Sequence, residues 1–260
     1  MEKDKYSHLQ NEEITTNDDS LQDLEFREQQ EYYTSSDYSY KEDPKLETLF
    51  NPEIEDMFPA LLRGVREIRD EISNGRYTLL IGDDTSGRIP TLILRKIISQ
   101  VNSSKGRPTI PAFFVKGNRI KNEENLQKQQ LTKYIRQAKV GSDNHKALIT
   151  TDYMHLGGSI KQIGTVLQNE DINFDVFSIA RKFDTQKYFP RNQSGRNVEI
   201  FPRNKEDDVA PRIFGKIKLS GYQFNEGQIQ FLPKYKNSFR EARKDVETVA
   251  NTIINDVFTS

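Results

Sequence analysis

Lys146 to Gln168, KALITTDYMHLGGSIKQIGTVLQ, is the stretch that most constrains how this chain can fold. A short apolar run, Ala147-Leu148-Ile149, is flanked by Thr150 and Thr151, and Asp152 follows. Gly157, Gly158 and Ser159 make a turn, beyond which Ile160, Ile163, Gly164 and Leu167 recur at helical spacing. The order is strand, loop, helix, with an acid at the strand's exit and glycines at the helix's start. Glycines let a chain turn tightly and approach a ligand, and the first free N–H groups of a helix face an anion. The pattern suits a phosphate, although the same turn also joins strand to helix where no ligand binds.

A second unit of the same kind lies upstream. Tyr77 to Ile81 reads as a buried strand, Gly82 to Arg88 as a polar loop, and Leu92 to Val101 as a long apolar helix. Before it, Asn51-Pro52-Glu53 is a helix start, with a capping side chain, proline at the first position and acids in the first turn. Leu61, Val65, Ile68 and Ile72 give that helix one apolar face; Pro59 kinks it or marks its true first turn, and Asn74-Gly75 ends it. Ile110 to Val115 is a further apolar run, ending on Lys116-Gly117. Asn122 to Lys139 reads as a solvated helix, with Leu126, Leu131, Ile135 and Ala138 loosely on one side. Phe174 to Ala180 is another strand, and a short one is expected over Val198 to Phe201. Phe214 to Leu219 and Gln228 to Leu232 are expected to pair as a hairpin across Gly221 to Gly227. Phe239, Ala242, Val246, Val249, Ala250, Ile253 and Val257 then define a regular helix from Ser238 to Phe258. Packing on the sheet is its expected role, and a homodimer seam is the rival.

Alternating helices and apolar strands predict an α/β fold with a doubly wound, mostly parallel sheet, a small C-terminal hood or hairpin and a long C-terminal helix. Its two polar loops would lie side by side at strand C-termini, where open α/β sheets hold ligands.

Composition separates the ends of the chain. Residues 1–50 hold 14 acids against 5 bases, and the remaining 210 hold 25 acids against 33 bases. The expected division is an acidic, tyrosine-containing, disordered tail over 1–45 and one α/β domain over 46–260. Tyr32, Tyr33, Tyr38 and Tyr40 would serve as anchors if that tail folds onto a protein partner. With no cysteine, disulfides, thiolate catalysis and cysteine-ligated zinc are excluded. The three histidines have no metal-ligand spacing, and His8 and His145 read as solvated. No nucleophile elbow supports a hydrolase, and a modest basic excess without a reader motif disfavours nucleic acid. The absence of a signal-like or membrane-spanning apolar run predicts a cytoplasmic protein.

The segment Thr151-Asp152-Tyr153-Met154-His155-Leu156-Gly157-Gly158-Ser159 resembles the phosphoribosyl pyrophosphate (PRPP) loop of type I phosphoribosyltransferases. That loop has two acids, two apolar residues, two hydroxyl or small residues, two small residues and a final Thr or Ser. Thr151 stands where the first acid belongs, while His155 and Leu156 replace the usual hydroxyls. The resemblance implies that Gly157 to Ser159 hold a 5′-phosphate, with His155 and Leu156 in the same PRPP-binding loop, and that Asp152 lies near the ribose hydroxyls as the catalytic residue. Thr85-Ser86-Gly87-Arg88 is similar to the family's pyrophosphate loop, and Lys116 matches a basic residue at the end of a strand that reaches the same pyrophosphate. Mg²⁺ is implied as cofactor, carried chiefly by PRPP oxygens and water, with Asp152 or Asp84 assisting. The family's mobile flap lies between the strands of Ile110–Val115 and Ala147–Ile149, so residues 118–145 are expected to cover the site.

The implied activity is transfer of the phosphoribosyl group to a nitrogenous base or amine, with release of pyrophosphate. The alternative is a non-catalytic module on the same fold, sensing PRPP or a nucleotide or binding a protein partner. Thr151 in place of an acid favours the alternative; Asp152 and the retained glycines favour a working site.

Overall fold

The computed structural model describes residues 43–117, 120, 126–139, 146–154, 157–181, 198–201, 222–225, 228–231 and 236–259. The acidic tail, apart from its last residues, lies outside the described part.

Three short helices lead in: α1 (Pro52–Glu55), α2 (Phe58–Glu67) and α3 (Arg69–Ser73). Pro59 occupies the second position of α2, where its missing N–H breaks no helical bond, so it marks a first turn. Asn51 does not cap α1 as expected. Its side-chain amide donates to the buried Asp245 carboxylate at 2.6 Å, which also accepts the Phe50 and Asn51 backbone N–H groups. A distant acid outcompetes the local cap because it takes three donors at once. Gly75, with φ +66°, closes α3 as Asn74-Gly75 predicted.

The sheet follows: β1 (Tyr77–Asp83), α4 (Asp84–Ser104), β2 (Ala112–Val115), α5 (Leu126–Lys139), β3 (Lys146–Met154), α6 (Gly158–Asn169), β4 (Asn173–Arg181) and β5 (Ile200–Phe201). All five strands are parallel, in the order β2-β1-β3-β4-β5. The step from β1 to β2 runs one way across the sheet, and the steps to β3 and β4 run the other. Same-handed crossovers then require helices on opposite faces. The core obeys this. Leu80 and Leu148 face α4 residues Ile93, Leu94 and Ile97, with α2 and α3 in the same layer. Leu79, Ile81, Ala147 and Ile149 face the other way, onto Leu131 and Ile135 of α5 and Ile160, Ile163 and Leu167 of α6. Alternation along the strand thus assigns each residue its layer.

Two glycines set the helix-to-sheet distance at β4. A methyl on Gly164 would strike the Phe174 ring, and one on Gly64 would strike the Phe177 ring. These phenylalanines stand three residues apart, on opposite faces of one strand, so each layer has one ring seated in a glycine notch.

α7 (Lys236–Val257) buries Ala242, Val249, Ala250 and Ile253 against α4 and α2 rather than on the strands. Arg66 pairs with Asp256 at 2.8 Å and Lys96 with Glu247, tying it to both helices. The hairpin is β6 (Tyr222–Asn225) with β7 (Gln228–Phe231), antiparallel, with Asn225 opposite Gln228. Its first strand lies within the stretch read as a turn: Gly221 and Gly227 outweighed the alternating Tyr222 and Phe224 in that reading. The region expected as its first strand, 214–219, lies outside the described residues.

At the N-terminal edge of the sheet, Asp175 is buried and accepts the Tyr77 hydroxyl at 2.8 Å; Lys146 Nζ lies 2.6 Å from the same oxygen. Burial raises the Asp175 pKa above the usual carboxylate range, against the pull of Lys146 and Tyr77. Burial, and then the nearby Asp175 charge, also pushes the Tyr77 phenol far above its ordinary value.

Candidate functional site

In this strand order the chain reverses direction between β1 and β3. The helices that follow these neighbouring strands leave toward opposite faces, which opens a crevice at their C-terminal ends. Of the residues singled out from the sequence, Gly87, Arg88, Lys116, Asp152 and Gly157 to Ser159 are described, and they lie along this edge.

On the β1 side there is no loop. β1 ends at Asp83 and α4 begins at Asp84, so the stretch expected as a polar loop is the first turn of a helix. Gly87 lies against the Thr150 carbonyl and the Gly82 backbone, leaving no space for a Cβ. Thr91 hydrogen-bonds the Gly87 carbonyl and the Thr150 hydroxyl, fastening this turn to β3. Pro90 lies inside the helix and cannot donate to the Ser86 carbonyl one turn back. The turn's position is therefore set by Gly87 and Thr91, a pairing visible only once β3 is alongside. Arg88 extends from it over the Phe114 ring, 5.0 Å from the centroid. The side chains of Asp84, Thr85 and Ser86 lie outside the described residues.

On the β2 side, Lys116 and Gly117 follow Val115, which is in register with Asp83. The Gly117 N–H points at Asp83 Oδ1 over a long 3.4 Å. A methyl on Gly117 would come within 2.7 Å of the Ser159 carbonyl carbon and 2.8 Å of its Cα. The exit of β2 and the first turn of α6 are therefore in backbone contact, although 42 positions separate Gly117 from Ser159.

On the β3 side, the strand runs to Met154, beyond the exit expected at Asp152. Gly82 pairs with Thr150, so β3 outruns β1 and keeps only β4 beside it at Thr151 and Tyr153. Asp152 shares the α4 face with Thr150 by alternation and is only 2% exposed; Thr151, on the other face, is fully buried. Gly157 adopts φ +66° as the N-cap of α6, a conformation costly for residues with a Cβ, and it makes no side-chain cap bond. Gly158 is exposed, with nothing within 4 Å of where a Cβ would stand. Two helix N-termini, ends whose first N–H groups have no intrahelical partner, thus lie along one edge, with Lys116 and Arg88 nearby. His155 and Leu156 lie outside the described residues.

α5 is not the solvated helix expected. Leu131 and Ile135 are buried in the core, and Tyr134 stacks on Phe113 with centroids 4.0 Å apart. It is the β2-to-β3 crossover, whose apolar face the intervening Lys and Gln residues obscured. Of the remaining residues expected as a flap, 118, 119, 121–125 and 140–145 lie outside the described part. Phe114 and Thr91 are the site-forming residues that sequence reasoning missed: Phe114 falls within the apolar run Ile110–Val115, and Thr91 between the expected loop and the apolar helix.

Among the described residues, no group of three or more His, Asp or Glu could hold a metal ion, and no helix is long and apolar enough to cross a membrane. No family model matches the chain, and no curated protein does. Among solved structures it is similar to a phosphoheptose isomerase from Francisella tularensis, at 14% identity over 91% of this chain and 100% of that one. The TM-score of that match is 0.31, too low to bear on fold or function.

Proposed function

We propose that the protein is phosphoribosyltransferase-like and binds PRPP, or another 5′-phosphorylated ribose ligand, at the β1/β3 edge. The observation that carries this reading is the open N-terminus of α6. Gly157 turns in the left-handed region, and exposed Gly158 leaves the helix's first N–H groups approachable. In this reading Gly157 to Ser159 hold the 5′-phosphate, and Arg88, Lys116 and the first turn of α4 meet the pyrophosphate. Transfer would break the C1–O bond to pyrophosphate, which leaves with the electron pair, and form a C1–N bond to a base or amine that gives up a proton. The chain's part is positioning and electrostatics. Mg²⁺ would be held chiefly by ligand oxygens, with Asp84 or Asp152 assisting.

The burial of Asp152 and Thr151 favours a second reading, a non-catalytic sensor of the same ligand. An acid acting on the developing charge at C1 needs access to the ribose. A protein partner for the tail and a homodimer remain part of the proposal. Calorimetric titration with Mg-PRPP, ribose 5-phosphate and mononucleotides, followed by pyrophosphate release across a panel of bases, separates the readings. Binding with release supports the enzyme and binding without release the sensor. Absence of binding by every ligand overturns both.

A further inference from the structure

Phe114 lies in edge strand β2 and pairs in register with Gly82, one position before Asp83. Its ring occupies the space that a Gly82 side chain would need: a Cβ there would be 2.7 Å from Phe114 Cδ1. Thr91 Oγ1 closes the same space from α4, at 2.6 Å. Gly82 thus lets an aromatic ring lie across β1, directly under the first turns of α4. The Arg88 guanidinium sits over that ring. Both residues are only half-buried, so the pair is at the rim of the sheet and not within the core. Lys116 follows Val115, the last residue of β2, and so stands at the same strand exit as Phe114.

We propose that Phe114 is a positioning residue that holds Arg88 beside Lys116, and that it thereby sets a preference for diphosphate over monophosphate ligands at this edge. The inference rests on the reading of the edge as a phosphate site and adds what selects between phosphates. An arginine side chain is long and flexible, and placing it costs rotamer freedom unless something orders it beforehand. A ring face does so through the flat face of the guanidinium, and the donors in its plane are then presented in a fixed orientation. A single 5′-phosphate on the α6 terminus has no need of that cation. A second phosphate reaching toward β2 does.

The test uses the full chain, with inorganic pyrophosphate and ribose 5-phosphate as separate probes in Mg²⁺ buffer. Phe114→Leu should weaken pyrophosphate about three- to ten-fold, the range a ring-ordered cation contributes, and ribose 5-phosphate less than about two-fold. Phe114→Tyr should restore wild-type affinity, because it keeps the ring. In an Arg88→Ala background, Phe114→Leu should cost nothing further, as two residues acting through one contact are not additive. The Arg88 Nε–H resonance should also lose its ring-current shift in Phe114→Leu, a change that general destabilisation does not produce. Should Phe114→Leu fail to fold, Arg88→Lys carries the comparison, keeping the charge while losing the planar contact.

Equal losses for both probes, or the same loss of pyrophosphate with and without Arg88, would overturn the role of Phe114 while leaving the phosphate site standing. If the wild-type chain binds neither probe, the phosphate reading falls and the inference falls with it.

Discussion

The two edges of the parallel sheet solve opposite problems. At the N-terminal edge the polar groups are turned on one another: Tyr77, Lys146 and Asp175 come from three neighbouring strands and meet at one carboxylate oxygen. At the C-terminal edge the close contacts are made by backbone. Gly87 lies on Thr150, Gly117 lies on Ser159, and Gly157 turns where a side chain would strain. One edge spends its side chains on internal pairing; the other removes side chains and leaves N–H groups and cations at the rim. Stability and binding should therefore separate by edge, and substitutions at each should fail in different assays.

The largest effect is expected at the N-terminal edge. Lys146→Met leaves Asp175 buried without its cation and should cost about 3 kcal/mol at neutral pH, read by urea unfolding. Ribose 5-phosphate affinity of the folded fraction should be unchanged, and a parallel loss of affinity would show that the edges are coupled.

The pH dependence follows from the same carboxyl. Burial holds the folded-state pKa of Asp175 above its unfolded value. Its favourable contribution is therefore complete below the unfolded pKa and is lost as pH rises through the folded pKa. Lys146→Met raises that folded pKa further, so its penalty should shrink steadily on acidification toward pH 4. Asp175→Asn should abolish the dependence. A penalty in Lys146→Met that is the same at pH 4.5 and pH 7 would place the cost elsewhere.

Gly117→Ala is expected to be intermediate and to register in both assays. The added methyl would meet the Ser159 backbone, which cannot rotate away, at a cost of about 1–3 kcal/mol. The first turn of α6 must shift to relieve it, so phosphate-ligand affinity should fall as well. Retained affinity would mean that this contact does not position the site.

Gly158→Val should change stability least, by less than about 1 kcal/mol, because its Cβ has open space and its backbone is not in the left-handed region. It should nevertheless abolish binding of 5′-phosphorylated ribose, since the branched side chain would cover the N–H groups that face the ligand. Unchanged affinity in this well-folded variant would remove the assignment. Asp152→Asn sharpens the reading further: as an enzyme residue it should lower turnover more than binding, whereas in a sensor only binding can respond.

Much of the fold could be read from local pattern. The runs at Leu79–Ile81, Ala147–Ile149 and Phe174–Ala180 are strands, and the spacing of Ile160, Ile163 and Leu167 is the buried face of α6. The glycines at α6 were legible because a turn into a helix is a local event. α5 was misread as solvated because Leu131 and Ile135 are buried with only Ala138 partly buried beside them, and so few apolar residues on a polar helix make a weak pattern.

Sequence by itself determined the central strands and the helices after them, the alternation that assigns Leu80 and Leu148 to one layer and Leu79 and Ile149 to the other, and the place of the glycine turn. Those depend on periodicity and backbone freedom, which are properties of neighbouring residues. Tertiary structure alone decided that Thr85 to Arg88 are helix rather than loop, that Asp152 lies buried inside a strand, and that Gly117 abuts Ser159. Each outcome depends on which strand lies alongside which. Strand order is a long-range choice, set by crossover handedness and core packing, that no short stretch of sequence records.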